Sequence, residues 1–180
     1  MRAREAVRAA ELAQHGHLLR LWRPPLAPGE WRTYGLFSAA DADGLEKLLA
    51  SMPLRAWRTD DVTQLLEHAN DPFGRPGTTA AAPGNEFFTW FTIVIPADAG
   101  ADEVASAATE ARRTTELARE GRLLRLWMLP DEGTALGVWA ADDIANMRAD
   151  LDSLPMINWL DVEVTPLSVH PSDPANGTVR

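Results

Sequence analysis

Several side chains in this sequence are equipped for chemistry on a small carbonyl compound. Arg20 and Arg125 each sit beside large apolar residues, and Arg23 directly follows a tryptophan. A guanidinium facing a pocket can bind a carboxylate or an enolate through its planar fork. The plainer alternative is an edge arginine reaching out to solvent. Tyr34, the only tyrosine, can donate a hydrogen bond to a developing oxyanion or simply fill a core with its hydroxyl at the rim. Glu11 and Glu116 recur at corresponding places in two helical stretches. A helix glutamate turned toward a sheet can act as a base with a raised pKa, whereas one turned outward pairs with a neighbour such as Arg112 or Arg113. Glu5 and Glu110 recur in the same way and rank behind them. His68 and His170 also recur, each shortly before an Asp-Pro pair; such a histidine can shuttle protons near neutrality or pin a C-terminal arm across the other half of the molecule. Trp22, Trp127, Trp139 and Trp159 read as core or pocket wall. Asp161 and Glu163 alternate with valines and point one way, toward a wet sheet edge or a cavity. His15 and His17 flank a glycine turn and read as solvated.

A base, an acid and donors aimed at an oxyanion are the minimum equipment for moving a proton next to a carbonyl. No metal or other cofactor is required for that. The chain has no cysteine, which excludes disulfides, thiolate metal sites and a cysteine nucleophile. Histidines as far apart as His68 and His170 make a poor metal signal. The net charge of −9 repels phosphate backbones, so nucleic acid is not an expected partner. The start lacks the apolar core of a signal peptide, and the longest apolar run, Phe87–Pro96, is too short to cross a bilayer. The reading is a soluble cytoplasmic protein, without membrane partners, acting on a small molecule.

The elements that must position these residues come in two copies. Glu11-Leu-Ala-Gln-His-Gly-His-Leu-Leu-Arg-Leu-Trp22 returns as Glu116-Leu-Ala-Arg-Glu-Gly-Arg-Leu-Leu-Arg-Leu-Trp127, an offset of 105. Three extra residues in the first copy then reduce the offset to 102, at which Gly35 meets Gly137, Phe37 meets Trp139 and Met52-Pro53-Leu54 meets Leu154-Pro155-Met156. Trp57 falls on Trp159, His68 on His170 and Asp71-Pro72 on Asp173-Pro174. A tandem duplication is the economical reading. It divides the chain into repeat 1 at 1–72, a Pro/Gly-rich linker at 73–85, repeat 2 at 86–174 and a flexible tail at 175–180, with mobility expected after Pro171.

The second copy is the more complete. Phe87–Ile95 is a strand dense in aromatic and β-branched residues, ended by Pro96. Asp102–Glu120 is helical, with Gly121 as its left-handed stop. Arg122–Leu129 alternates, placing Leu123, Arg125 and Trp127 on one face and Leu124 and Leu126 on the other. Thr134–Ala140 is the next strand, Asp142 or Asp143 caps a helix to about Ser153, and Leu160–Leu167 is the last strand. Strand, helix, strand, strand, helix, strand is the ferredoxin-like split βαβ order. The expected fold is therefore α+β: two tandem ferredoxin-like units packed sheet to sheet as a pseudo-dimeric α+β barrel. The first copy opens directly in its helix at Arg2–His15 without the first strand, which in this topology is central; either the sheet is rebuilt around the gap or the true start lies upstream.

These residues resemble the muconolactone delta-isomerase family. In the second copy the resemblance runs from Phe87 to about Ser172, through Arg119-Glu120-Gly121, Leu126-Trp127, Leu154-Pro155-Met156, the run Trp159-Leu-Asp161-Val-Glu163-Val164 and His170-Pro171-Ser172. In the first it covers residues 1–72, with Leu21-Trp22-Arg23, Tyr34-Gly-Leu-Phe37 and Met52-Pro53-Leu54. The copies keep different pieces: Arg23 and Tyr34 stand where the second copy has Met128 and Leu136. The resemblance implies cofactor-free proton transfer that moves a C=C bond in a small unsaturated lactone, by a protein that is often a homo-oligomer. On this reading the catalytic candidates are Glu116, Tyr34, His170 and Glu11, with Arg20, Arg23, Arg125, Trp22, Trp127 and Trp139 binding substrate. A tailoring isomerase or cyclase is a variant of the same reading. A non-catalytic ligand-binding or scaffold protein with decayed sites is the alternative, and cofactorless monooxygenase chemistry a further one that rests on fold analogy alone.

Overall fold

The structure, a computed structural model, describes residues 1–72, 84–94 and 102–177, without the side chains of residues 102–107 and 177. Most of the linker at 73–85, the strand stop at Pro96 and the end of the tail lie outside the described residues. In chain order the elements are α1 (Arg2–Gln14), β1 (Leu18–Arg23), β2 (Tyr34–Phe37), α2 (Ala42–Ala50), β3 (Leu66–Glu67), β4 (Asn85–Ile93), α3 (Asp102–Arg119), β5 (Leu123–Met128), β6 (Thr134–Ala141), α4 (Ile144–Asp152) and β7 (Leu160–Val169). All strand pairings are antiparallel among the described residues, so the class is α+β. No described helix is long and apolar enough to cross a membrane.

The duplication is visible in how the helices begin and end. Asp41 caps α2 by accepting from the Gly44 N–H at 2.7 Å, and Asp143 caps α4 by accepting from Asn146 N–H at 2.8 Å. A short side-chain acceptor satisfies a backbone donor that the first turn leaves unpaired. Helices α1 and α3 stop at Gly16 (φ 72°) and Gly121 (φ 74°). The next residues, His17 and Arg122, donate back to the Leu12 and Leu117 carbonyls, both at 2.8 Å. That left-handed closure is open to glycine without steric cost.

The described chain forms two compact units, and neither coincides with one repeat. Unit 1 holds residues 1–62 together with 168–177; unit 2 holds 63–72, 84–94 and 102–167. In unit 2 the strand order is β7-β4-β6-β5-β3. Register along β4 sets the faces: Phe87 lies opposite Trp139 and Phe91 opposite Ala135, while Phe88 lies opposite Val138 and Trp90 opposite Leu136. Phe87, Phe91 and Trp139 join Leu117 of α3 and Met147 and Leu151 of α4 in the core. The other face carries Phe88, Leu136 and Val138, all buried, with Glu163 opposite Trp90 on β7 and exposed. Gly137 is required by a close approach, because a Cβ there would lie 2.4 Å from Trp139 Nε1 and 2.5 Å from Thr89 Oγ1. Those two atoms are hydrogen-bonded at 2.8 Å across the glycine.

Unit 1 is smaller. Strand β1 pairs with β2 on one side and, through Trp22 and Arg23, with Val169 and Ser168 on the other. Ala9 and Leu12 of α1 pack on Leu18 and Leu21 of β1 and on Met52. Helix α1 begins at Arg2. At the end of the first repeat, residues 58–65 form no strand, and only Leu66–Glu67 do, pairing with Met128 and Trp127 within unit 2. In the second repeat the corresponding strand β7 pairs along its length with β4.

One expectation needs correction. The strict alternation over Arg122–Leu129 fails at its start, since the register shifts between Leu123 and Arg125. This bulge turns Leu123 to the core face shared by Leu126, leaving Arg125 and Trp127 together on the opposite face. Among the described residues after Pro171, Asp173 is 3% and Ala175 9% exposed, and Pro174–Gly177 form a 3-10 turn.

Candidate functional site

In each unit, a strand arginine is closed by an aspartate from the other repeat. In unit 1, Arg20 is 0% exposed and its Nε donates to both Asp173 oxygens at 3.2 and 3.1 Å. The Leu21 N–H adds a bond to Asp173 Oδ1 at 3.1 Å. In unit 2, Arg125 Nε and Nη2 reach Asp71 at 3.1 and 3.0 Å, and the Leu126 N–H donates to Asp71 Oδ1 at 2.9 Å. Each guanidinium also lies over the indole two residues on, 4.6 Å from the Trp22 and Trp127 ring centroids. A buried charge of this kind requires a partner, and here the protein supplies it. Trp22 and Trp127 are thus the platforms on which the arginines lie, and Trp139 is a core residue 1% exposed.

The histidines belong to the same arms. The His170 N–H donates to the Leu21 carbonyl at 3.2 Å, and its ring Nδ1 accepts from the Ser172 N–H at 3.0 Å. His68 Nδ1 accepts from the Asn70 N–H, also at 3.0 Å. An Nδ1 used as acceptor leaves the neutral ring with its proton on Nε2, a donor and not a base. Burial lowers the pKa of both rings; Arg23 lowers that of His170 further, while Asp173 opposes the shift. Arg23 itself is exposed and lies opposite Ser168, whose hydroxyl donates to the Arg23 carbonyl at 3.2 Å. Tyr34 lies opposite Trp22, so alternation puts it on the other face of β1–β2 from Arg23. Unit 1 therefore brings Arg23 and His170 together and sets Tyr34 apart from Arg23.

The helix glutamates divide into two kinds. Glu11 and Glu116 are surface ion-pair partners: Arg8 reaches Glu11 at 2.9 Å and Arg113 reaches Glu116 at 3.2 Å. Both carboxylates are nearly half exposed, at 49% and 45%. Each arginine is also held by a serine, Arg8 by Ser51 and Arg113 by Ser153, both at 2.9 Å. Glu5 and Glu110 instead turn inward, onto the segments that follow α2 and α4. The Leu54 N–H donates to Glu5 Oε2 at 2.8 Å, and the Met156 N–H to Glu110 Oε2 at 3.0 Å. The copies then part. Glu5 Oε1 also takes an ion pair from Arg58 Nη1 at 2.9 Å, whereas the residue corresponding to Arg58 in repeat 2 is Leu160. Burial raises the Glu110 carboxyl pKa, against the opposing effect of its bond from Met156.

The sequence profile of the muconolactone delta-isomerase family matches residues 1–71 and 86–173. This chain belongs to the muconolactone delta-isomerase family. The match takes in residues of both repeats. Among solved structures, the crystal structure of muconolactone isomerase at 3.3 Å resolution is similar at 24% identity, with a TM-score of 0.45, over 53% of this chain and 95% of that one. A search of curated proteins finds no match.

Within this family member, sequence reasoning ranked Glu110 behind Glu116 and did not connect Asp71 and Asp173 with the strand arginines. Both signals were present. The aspartates recur at the offset of 102 and the arginines at that of 105, and leucine at 160 where the first repeat has Arg58 is visible on alignment of the repeats.

Proposed function

We propose that this chain is a cofactor-independent isomerase that moves a C=C bond by proton transfer in a small unsaturated lactone or related carbonyl compound, with Glu110 carrying the proton. The family membership of both repeats supports the reaction class. The observation that carries the residue assignment is the state of Glu110: a half-buried helix carboxyl with a raised pKa, one oxygen held by the Met156 N–H at 3.0 Å, and leucine where its counterpart meets Arg58. A carboxyl held in place and titrating closer to neutrality accepts and returns a proton more effectively than a solvated one. In the step, the carboxylate takes a proton γ to the carbonyl, leaving a dienolate. The resulting acid delivers a proton to the α carbon, and the carboxylate is restored. The strand order β7-β4-β6-β5 of unit 2 supports the ferredoxin-like plan for repeat 2, whose partner is a small molecule.

A second reading, a ligand-binding or scaffold protein without catalysis, is favoured by one observation: the Arg20 and Arg125 guanidiniums are met by the protein's own aspartates. Incubation of candidate butenolides in deuterated water, followed by NMR, separates the two. Isotope uptake should fall about 100-fold or more in Glu110→Gln and stay within a few-fold of wild type in Glu116→Gln. Leu160→Arg, which recreates the charge that faces Glu5, should slow uptake as well by lowering the Glu110 pKa. Full activity in Glu110→Gln removes that residue from the mechanism, and no uptake with any candidate favours the binding reading.

A further inference from the structure

The segments after the two final strands, residues 66–72 and 168–174, repeat one another in contacts as well as in sequence. Leu66 and Glu67 pair with Met128 and Trp127; Ser168 and Val169 pair with Arg23 and Trp22. Each arm then bends over a histidine that accepts its own backbone N–H two residues on. Three residues beyond the histidine an aspartate meets the buried arginine and the next backbone N–H of the receiving strand. Asp173 is 0% exposed and Asp71 6% exposed in the side chain. Each receiving strand belongs to the repeat that did not supply the arm. Unit 1 is thus built from repeat 1 plus the end of repeat 2, and unit 2 from repeat 2 plus the end of repeat 1.

We infer that the two repeats are interlocked by reciprocal arm clips, His-x-x-Asp-Pro seated on Arg-Leu-Trp, and that this lock holds the repeats together without the covalent connection at residues 73–83. Each clip combines a two-residue strand pairing, a buried charge-assisted pair and a backbone N–H bond to the same carboxylate, and removal of its aspartate takes that carboxylate's charge away from a buried guanidinium. Two clips on one pair of fragments also act together, because seating one raises the effective concentration of the other.

The test is made on the folded full-length chain carrying a specific protease site within residues 73–83. After complete cleavage, the two fragments should elute together on size exclusion at micromolar concentration and stay together on dilution. In the cleaved Asp71→Asn/Asp173→Asn variant, the fragment dissociation constant should rise about 100-fold or more. Uncleaved Asp71→Asn/Asp173→Asn is checked for wild-type circular dichroism; if it does not fold, single Asp71→Asn is read in the same way, with about a tenfold rise or more expected. Separation of wild-type fragments on cleavage overturns the inference. Unchanged co-elution and dissociation in the aspartate variants overturns it equally, since something other than the clips would then hold the pieces.

Discussion

Replacing Asp173 by asparagine keeps the shape of the side chain and removes its charge. Arg20, 0% exposed, then stays buried with a neutral amide where two carboxylate contacts at 3.2 and 3.1 Å stood. The amide oxygen can still accept from the Leu21 N–H, so the loss is chiefly electrostatic. Breaking a buried pair by removing one partner costs about 3–5 kcal/mol, a large share of the roughly 5–15 kcal/mol that holds a domain folded. With a urea m-value of about 2–3 kcal/mol/M, the midpoint of unit 1 unfolding should fall by about 1–2 M. Equilibrium urea titration followed by far-UV circular dichroism and tryptophan fluorescence measures it; Trp22 reports directly, since Arg20 lies 4.6 Å from its ring centroid. The control is Arg20→Met/Asp173→Leu, which removes both charges. It should lie within about 1–2 kcal/mol of wild type, because the desolvation cost vanishes with the pair while the Leu21 N–H loses an acceptor. A midpoint for Asp173→Asn within about 0.3 M of wild type, or a double variant less stable than the single one, would refute the reasoning.

Two other expectations follow from geometry and titration. Gly137→Ala should destabilise unit 2 by about 2–4 kcal/mol, since its Cβ meets Trp139 Nε1 at 2.4 Å and Thr89 Oγ1 at 2.5 Å and must break their bond as well as overpack the core; a thermal melt unchanged from wild type would contradict this. His68 and His170 hold protons less readily in the fold than in the unfolded chain, burial being the first cause for both. Their stability contribution is therefore complete above the ordinary histidine value of 6.5 and drains as pH falls below it toward the folded values. Chemical denaturation at pH 7.5 and at about pH 5.5 should show the wild type losing more stability on acidification than a His68→Gln/His170→Gln variant, and equal losses would remove the histidines from the account.

Much of the scaffold was legible in the second copy. The glycine stop at Gly121, the aspartate cap of α4 and the helix–strand order are local signals, set by backbone geometry that a few neighbouring residues dictate. The bulge at Leu123–Arg125 was not legible, since alternation assumes a register that only the β5–β6 pairing fixes. The difference between Glu116 and Glu110 lay beyond local pattern for another reason. Helical spacing puts Arg113 beside Glu116, but the Glu110 pKa is raised by burial, against the opposing bond from Met156, and both depend on how the chain folds back on the helix. Asp71 and Asp173 were noticed as repeated Asp-Pro pairs, yet their role required the arms to cross, which no spacing reveals.

The contrast between Arg58 and Leu160 has a genetic meaning. In a homo-oligomer built from one gene, every substitution is installed at all equivalent positions at once, so a change that helps one place and harms its mate is selected on the sum. A chain that encodes both units separates those positions. It can keep arginine beside one inward-turned glutamate and leucine at the corresponding position of the other repeat, tyrosine at 34 and leucine at 136, arginine at 23 and methionine at 128. Asymmetry of this kind is open to a fused gene and closed to identical subunits obeying closed symmetry.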